Sequence, residues 1–299
     1  MILIPISRRS LYICILFLLA AVHPAAAQKR LQLSLATGYQ SEDFRWSIAG
    51  SVQGTDPNIL SELKWKHLSG PSVGASIGWN FWKSFSLRSE FSNMFIVSGS
   101  VTDADYHGDN RTDRSYYGEF DAKKGSIFSW RTTLEYAFHL DKVALIPLAG
   151  FSLHQQSLHI TDQSGSNPDL NSTYSARYLG GVIGLRAEVP LSDRFALEGG
   201  LLCDIVHYRG RANWNLISTF RHPLSFQDDA NGYNLEGNLK LVYKFDKWTF
   251  FLSGNILHGK TGKGTDMLYL QNGQDVPTQF NEAVRDYIRG GIGASVALF

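Results

Sequence analysis

The 299-residue chain sets 28 lysines and arginines against 27 aspartates and glutamates, a formal charge of +1 that leaves no basic excess to attract nucleic acid. Its two cysteines, Cys14 and Cys203, are too few for a disulfide-stapled secreted fold. Beyond the first 27 residues no run approaches the roughly 18 apolar residues of a membrane helix.

At the N-terminus, Arg8 and Arg9 precede the apolar run LYICILFLLAAV and then Ala25 to Ala27. A basic start, a short apolar stretch and small residues at a cleavage point predict a secretory signal peptide over 1–27. Cys14 lies inside that run, with isoleucine before it and apolar residues after it, unlike a lipid-attachment site. The expected mature chain, 28–299, loses two arginines and carries a charge of about −1. It has one cysteine, Cys203, and forms a single domain.

From Leu31 onward the pattern changes to period two. LQLSLATGYQ, SELKWKHLSGPSVGASIGWNFW, SFSLRSEFSNMF, GSIFSWRTTLEYAF, VALIPLAGFSLHQQSLHI and STYSARYLGGVIGLRAEV alternate apolar with small or polar residues. RFALEGGLLCDIVHYRG, NGYNLEGNLKLVYKF, WTFFLSGNILHG and DYIRGGIGASVALF continue the alternation to Phe299. Period two over such lengths predicts ten strands, each with two different faces. Tight turns at 83–84, 141–142, 192–193 and 246–247 alternate with long polar loops at about 51–59, 102–124, 162–173, 210–231 and 261–283. Strict alternation of short and long connections predicts a ten-stranded antiparallel transmembrane β-barrel, with short periplasmic turns and longer extracellular loops. Spanning strands need about 9–11 residues, so longer ones stand above the membrane. A soluble β-sandwich is the alternative, but it seldom has strands so long or connections so regular. Trp65, Trp79, Trp82, Trp130 and Trp248 are candidates for interfacial belts. Glu62, Lys64, Lys66, Arg88, Glu90, Arg131, Glu135, Arg186 and Glu188 are expected inside, closing a narrow lumen. The expected location is the bacterial outer membrane, the expected state a monomer, and the first partners membrane lipids.

The segment SVTDADYHGDNRTDRS carries four aspartates, Asp103, Asp105, Asp109 and Asp113, in the second long loop. Three readings are open: a solvated acidic loop, a cation site, or carboxylates that activate water. Asp103 and Asp105, at i and i+2, fall on one face of a continuing strand. There, like-charge crowding raises one pKa, as general-base chemistry requires. A calcium loop would need a glycine and a terminal glutamate at offsets this segment lacks. No serine-nucleophile, zinc-protease or phosphate-loop motif occurs, and no cofactor is implied.

These features together resemble the omptins, ten-stranded outer-membrane endopeptidases whose catalytic groups sit on strands extended above the bilayer. SGSVTDADY resembles the segment carrying their aspartate pair, which falls on Asp103 and Asp105. RFALEGGLLCDIVHY resembles the strand leading to their second catalytic pair, Asp-x-His. In this chain the corresponding positions are Asn213 and Asn215. An amide has no proton equilibrium near neutral pH and cannot act as a general base. His207 and His222 are the nearest substitutes. RANWNL resembles a stretch of the Protochlamydia outer membrane protein group. The resemblance implies either a surface endopeptidase using Asp103 and Asp105, or a non-catalytic barrel whose loops bind a peptide, a host surface or lipopolysaccharide. It also implies that the rim cations Arg177, Arg209 and Arg211 pair with lipopolysaccharide phosphates, the one non-protein ligand anticipated.

Overall fold

The computed structural model describes residues 30–298; the expected signal peptide, Cys14 and Phe299 lie outside the described residues. In chain order the strands are β1 (Arg30–Ile48), β2 (Ser61–Trp82), β3 (Phe85–Phe95), β4 (Ser98–Gly108) and β5 (Thr112–Asp121). Then come β6 (Gly125–Tyr136), β7 (Phe138–Leu140), β8 (Val143–Thr161), β9 (Asn171–Pro190) and β10 (Phe195–Asn213). β11 (Phe226–Phe245), β12 (Trp248–Thr261), β13 (Gly264–Tyr269) and β14 (Asp275–Ala297) complete the chain. A single 3-10 turn, Asp109–Arg111, is the one helical piece among the described residues.

Ten of these strands form a closed antiparallel wall in the order β1, β2, β3, β6, β8, β9, β10, β11, β12, β14, with β14 pairing back onto β1 from Gln32↔Ala297 to Ile48↔Phe280. The count of ten is therefore that expected from the turns. At one mouth three of the four connections are two residues long, Trp82 pairing Phe85, Leu140 pairing Val143 and Phe245 pairing Trp248, while the fourth, 191–194 between β9 and β10, has four residues. Lys83, Asp141 and Asp246 open these turns with φ of 48°, 53° and 54°. A left-handed first residue gives a two-residue hairpin the twist of its flanking strands.

At the other mouth the expected loops are largely strand. The segment 102–124 continues the wall as the β4–β5 hairpin, with β4 taking up the upper half of β2 that β3 leaves free. The chain turns from β5 into β6 at Gly125, where φ is +128° and a Cβ would collide with the Ser157 carbonyl. Likewise 261–283 contains β13, which bridges β11 and β14. Strands of up to 23 residues thus carry the wall well past the length needed to span a membrane.

The outward side of the lower wall is apolar: Leu35, Leu201, Ile205, Ile288 and Ile292 are all more than 60% exposed. Apolar residues exposed on an unbroken wall are the lipid-facing band of a barrel. The inward side there is polar. Arg131 pairs with Glu236 at 2.8 Å, and Glu135 receives Arg88 at 3.3 Å and Arg186 at 2.5 Å. Below them a cavity of about 1390 Å³ opens at the mouth with the short turns. The hydrophobic core lies instead above the band, inside the extended wall. Trp65 from β2 and Tyr174 from β9, on opposite sides, have ring centroids 5.6 Å apart, and Trp46 stacks on Tyr174 at 5.5 Å. These rings plug the lumen.

Two expectations are corrected here. Trp65 is a core residue, 1% exposed, and no belt residue. Glu62, Lys64 and Lys66 face outward. Both follow from a bulge between Glu42/Phe44 on β1 and the 66–68 stretch of β2, where His67 has φ 54°. An extra residue reverses the alternation above it, so Leu63 and Trp65 point inward while Ser72 and Gly74 keep the opposite parity below.

Single cysteines placed at Lys83, Asp141, Asp193 or Lys247 in a Cys203→Ser background should resist an impermeant thiol reagent in intact cells. Cysteines at Asp109, Ser166 or Thr265 should label readily. Labelling of the short turns alone would invert the orientation.

Candidate functional site

The four crowded aspartates have three different fates. Asp103 and Asp105 lie opposite Leu63 and Ser61 in the β2–β4 register, and opposite Gly118 and Tyr116 in the β4–β5 register. Leu63 points into the core, so its register partner Asp103 faces the same way. The two aspartates therefore climb the inner wall directly above the buried Val101. Asp109 leaves this face. Its Oδ1 accepts the Asn58 amide at 2.8 Å, while Asn58 Oδ1 accepts the Asn110 amide at 2.8 Å, tying the first loop to the second. Asp113 is a surface residue 3.8 Å from His107. Among the described residues no three His, Cys, Asp or Glu side chains gather as a metal site.

Asp103 Oδ1 is buried and has no hydrogen-bond partner. Burial, reinforced by the nearby Asp105 carboxylate, pushes its pKa up to about 7. Asp105 is also raised by burial, against a hydrogen bond from Ser61 and the charge of His107. The pair thus contains one carboxyl that exchanges its proton near neutral pH, the property a general acid or base needs. Tyr116 stands beside them, its phenol made harder to ionise by burial and by both aspartates.

Asn213 and Asn215 lie elsewhere. Ala212 pairs with the inward Tyr174, so Asn213, paired with Thr173, turns to the outer face. Its Oδ1 lies 2.7 Å from His222 Nδ1. Asn215 is a tether: its Oδ1 accepts the Asn171 amide at 3.0 Å and the Ser172 hydroxyl at 3.1 Å, and its Nδ2 donates to the Asp169 carbonyl at 2.8 Å. The hydrogen bonds of both amides thus run within their own loop and to the neighbouring one, not to the aspartates. His207 is outward as well, 3.1 Å from Asp229. Between the aspartate wall and β9–β11 the lumen holds aromatic rings, including Trp214 edge-on to Phe226 at 4.8 Å.

The wall, the extended strands and the pair on β4 can now be set against known proteins. The family model described as Protochlamydia outer membrane protein matches residues 34–294. The chain belongs to the Protochlamydia outer membrane protein family. It is accordingly a bacterial outer-membrane protein, with its apolar band in lipid. Its fold is similar to that of the outer membrane protease OmpT from Escherichia coli, at TM-score 0.71 and 11% identity over 90% of this chain and 97% of that one. The translocator domain of the Neisseria meningitidis autotransporter NalP aligns at TM-score 0.41 and 13% identity, over 91% of this chain and 89% of that one. No curated protein matches the sequence. An identity of 11% carries the fold of this family member and nothing of its chemistry.

Arg177, Arg209 and Arg211 are brought together on the outer wall, just above the apolar band. Arg177 and Arg209 are register partners on β9 and β10. Arg209 donates to Asp229 Oδ1 at 2.8 Å and Arg211 to Gln227 Oε1 at 3.0 Å. What sequence reading misses is a buried node formed by Tyr174, Tyr208, Asp228 and Asp266. Only the register of β13, unreadable from periodicity, brings its carboxylates together.

Asn215→Ala should loosen the 162–172 segment by roughly 2 kcal/mol of local stability, since three bonds of about 1 kcal/mol are lost and partly replaced by water. Hydrogen exchange over 162–172 should rise while the wall strands stay protected. For Asp103 the folded state keeps a proton up to about pH 7 that the unfolded chain releases near 3.8. Stability therefore falls as pH rises between those values and is level above. Asp103→Asn should flatten that slope and raise the apparent melting temperature in micelles at pH 8.

Proposed function

We propose that this protein is a non-hydrolytic outer-membrane barrel that binds an anionic lipid headgroup at its outer rim. The observation that carries the negative half is the state of the second loop pair: two amides, one turned outward and the other holding a neighbouring loop. Without an opposing base, Asp103 and Asp105 can hold a water but have no partner to pass its proton to. The positive half rests on Arg177 and Arg209, exposed register partners on the outer wall above Leu179 and Ile205, a position suited to lipid phosphates. Guanidinium pairs bind phosphate through paired, charge-assisted hydrogen bonds.

One observation favours a second reading, peptide hydrolysis. A buried carboxylate titrating near pH 7 on an OmpT-like wall is suited to activate water. The two readings separate experimentally. Refolded protein with lipopolysaccharide should leave dibasic peptides uncut. Arg177→Ala combined with Arg209→Ala should weaken lipopolysaccharide binding about a hundredfold, at roughly 1.4 kcal/mol for each lost phosphate contact. Vigorous cleavage that disappears in Asp103→Ala would establish hydrolysis instead, and undiminished lipid binding by the double variant would remove the rim from the reading.

A further inference from the structure

The node missed by periodicity joins five strands above the membrane. Asp228 on β11 and Asp266 on β13 are register partners, 0% and 2% exposed, with carboxyl groups within hydrogen-bonding reach of each other. Tyr174 of β9 donates to Asp228 Oδ2 at 2.5 Å. Having spent its one proton there, Tyr174 accepts from Tyr208 of β10, also at 2.5 Å. Thr278 of β14 donates to Asp266 Oδ2 at 2.9 Å. The wall makes room for this: a Cβ on Gly210 would collide with both the Tyr174 hydroxyl and the Asp228 carboxylate.

The donors are then exhausted. Asp228 Oδ1 and Asp266 Oδ1 are buried and have no other partner. Two ionised carboxylates in contact, out of water and without a cation, repel strongly. One proton between them turns that repulsion into a hydrogen bond. Among the described residues no lysine, arginine or histidine makes an ion pair with either group. Asp229, next along β11, turns outward to Arg209 and His207. On β14, Glu282 faces outward to Arg45 and Lys260. On the inner side the node's hydrogen bonds run to Tyr174, Tyr208 and Thr278, and aromatic rings pack on the two tyrosines.

We propose that Asp228 and Asp266 form a one-proton clasp that fastens the β13 segment to the barrel wall and releases it when the proton is lost. β13 is only six residues long, and its two edges are held by six register pairs to β14 and four to β11, the Asp228–Asp266 pair among the four. Burial and mutual repulsion push the Asp228 carboxyl well above the usual carboxylate range, and burial raises Asp266. The folded state therefore holds a proton that the unfolded chain gives up near the ordinary carboxylate value. Stability contributed by the clasp is full at acid pH and declines as pH rises towards the raised pKa of the pair.

The test is hydrogen exchange of full-length mature protein in micelles from pH 6 to 10, corrected at each pH for the intrinsic exchange rate. In the wild type, protection over 264–278 should fall about tenfold per pH unit up to the raised pKa of the pair and be level above it, while β12 stays protected. D266N places an amide donor against Asp228 and needs no shared proton, so its protection there should be level with pH. D228N supplies the same comparison should D266N not fold to a heat-modifiable form. Infrared difference spectra of wild type against either variant should show one protonated carboxyl at pH 7. Wild-type protection that does not change with pH, or that matches the variants throughout, would overturn the clasp. So would a response of 264–278 to calcium or to a chelator at constant pH, which would assign the pair to a cation.

Discussion

Everything in this molecule depends on the closure of β14 onto β1. In hydrocarbon no water is present to satisfy a backbone N–H or C=O, so each must find its partner within the protein. A sheet meets that demand only when it has no edge. The seam from Gln32↔Ala297 to Ile48↔Phe280 removes the last one. Once the ring is closed, the side chains divide by parity. Leucines and isoleucines go to lipid, and residues such as Arg131, Glu135 and Glu236 are forced into a narrow interior where they must neutralise one another.

That division explains which parts of the fold were legible in the sequence. Period-two alternation and the two-residue turns at Lys83, Asp141 and Asp246 are local, and they specify ten strands and the end at which they turn tightly. The β4–β5 hairpin is a different matter. Its residues are polar and aspartate-rich, as loops are, because its outer side meets water and not lipid. Nothing local separates such a hairpin from a loop. The bulge at His67 is equally silent: one extra residue is invisible to a reader counting by twos, yet it turns Glu62, Lys64 and Lys66 outward and Trp65 inward. The clasp at Asp228 and Asp266 depends on a register between segments nearly forty residues apart, and no spacing rule reaches that far.

The candidate site shows the same boundary. That Asp103 and Asp105 share a face follows from their spacing and holds in the fold. Whether Asn213 and Asn215 look towards them does not follow, because Asn213 lies one residue from the inward Ala212 and parity sends it to the other side. Asn215 meanwhile does a job that aspartate or histidine could not do in full. It accepts two hydrogen bonds and donates one to hold 169–172, which calls for a group with both functions on one short side chain. Asn215 is thus bound up with how two outer loops are joined.

The aromatic plug has a bearing on how such a protein reaches its final state. Its rings come from β1, β2, β9, β10, β11 and β14, and all of them lie on the far side of the lipid band from the tight turns. A chain that enters the membrane from the side of those turns must carry Trp46, Trp65, Tyr174 and Phe226 through the bilayer before they can meet. Their packing then belongs to the end of assembly and not its beginning. Apolar rings that travel easily through hydrocarbon, and lock together only after leaving it, make insertion a one-way step. To slide back, the barrel would first have to take apart the only large hydrophobic core among its described residues.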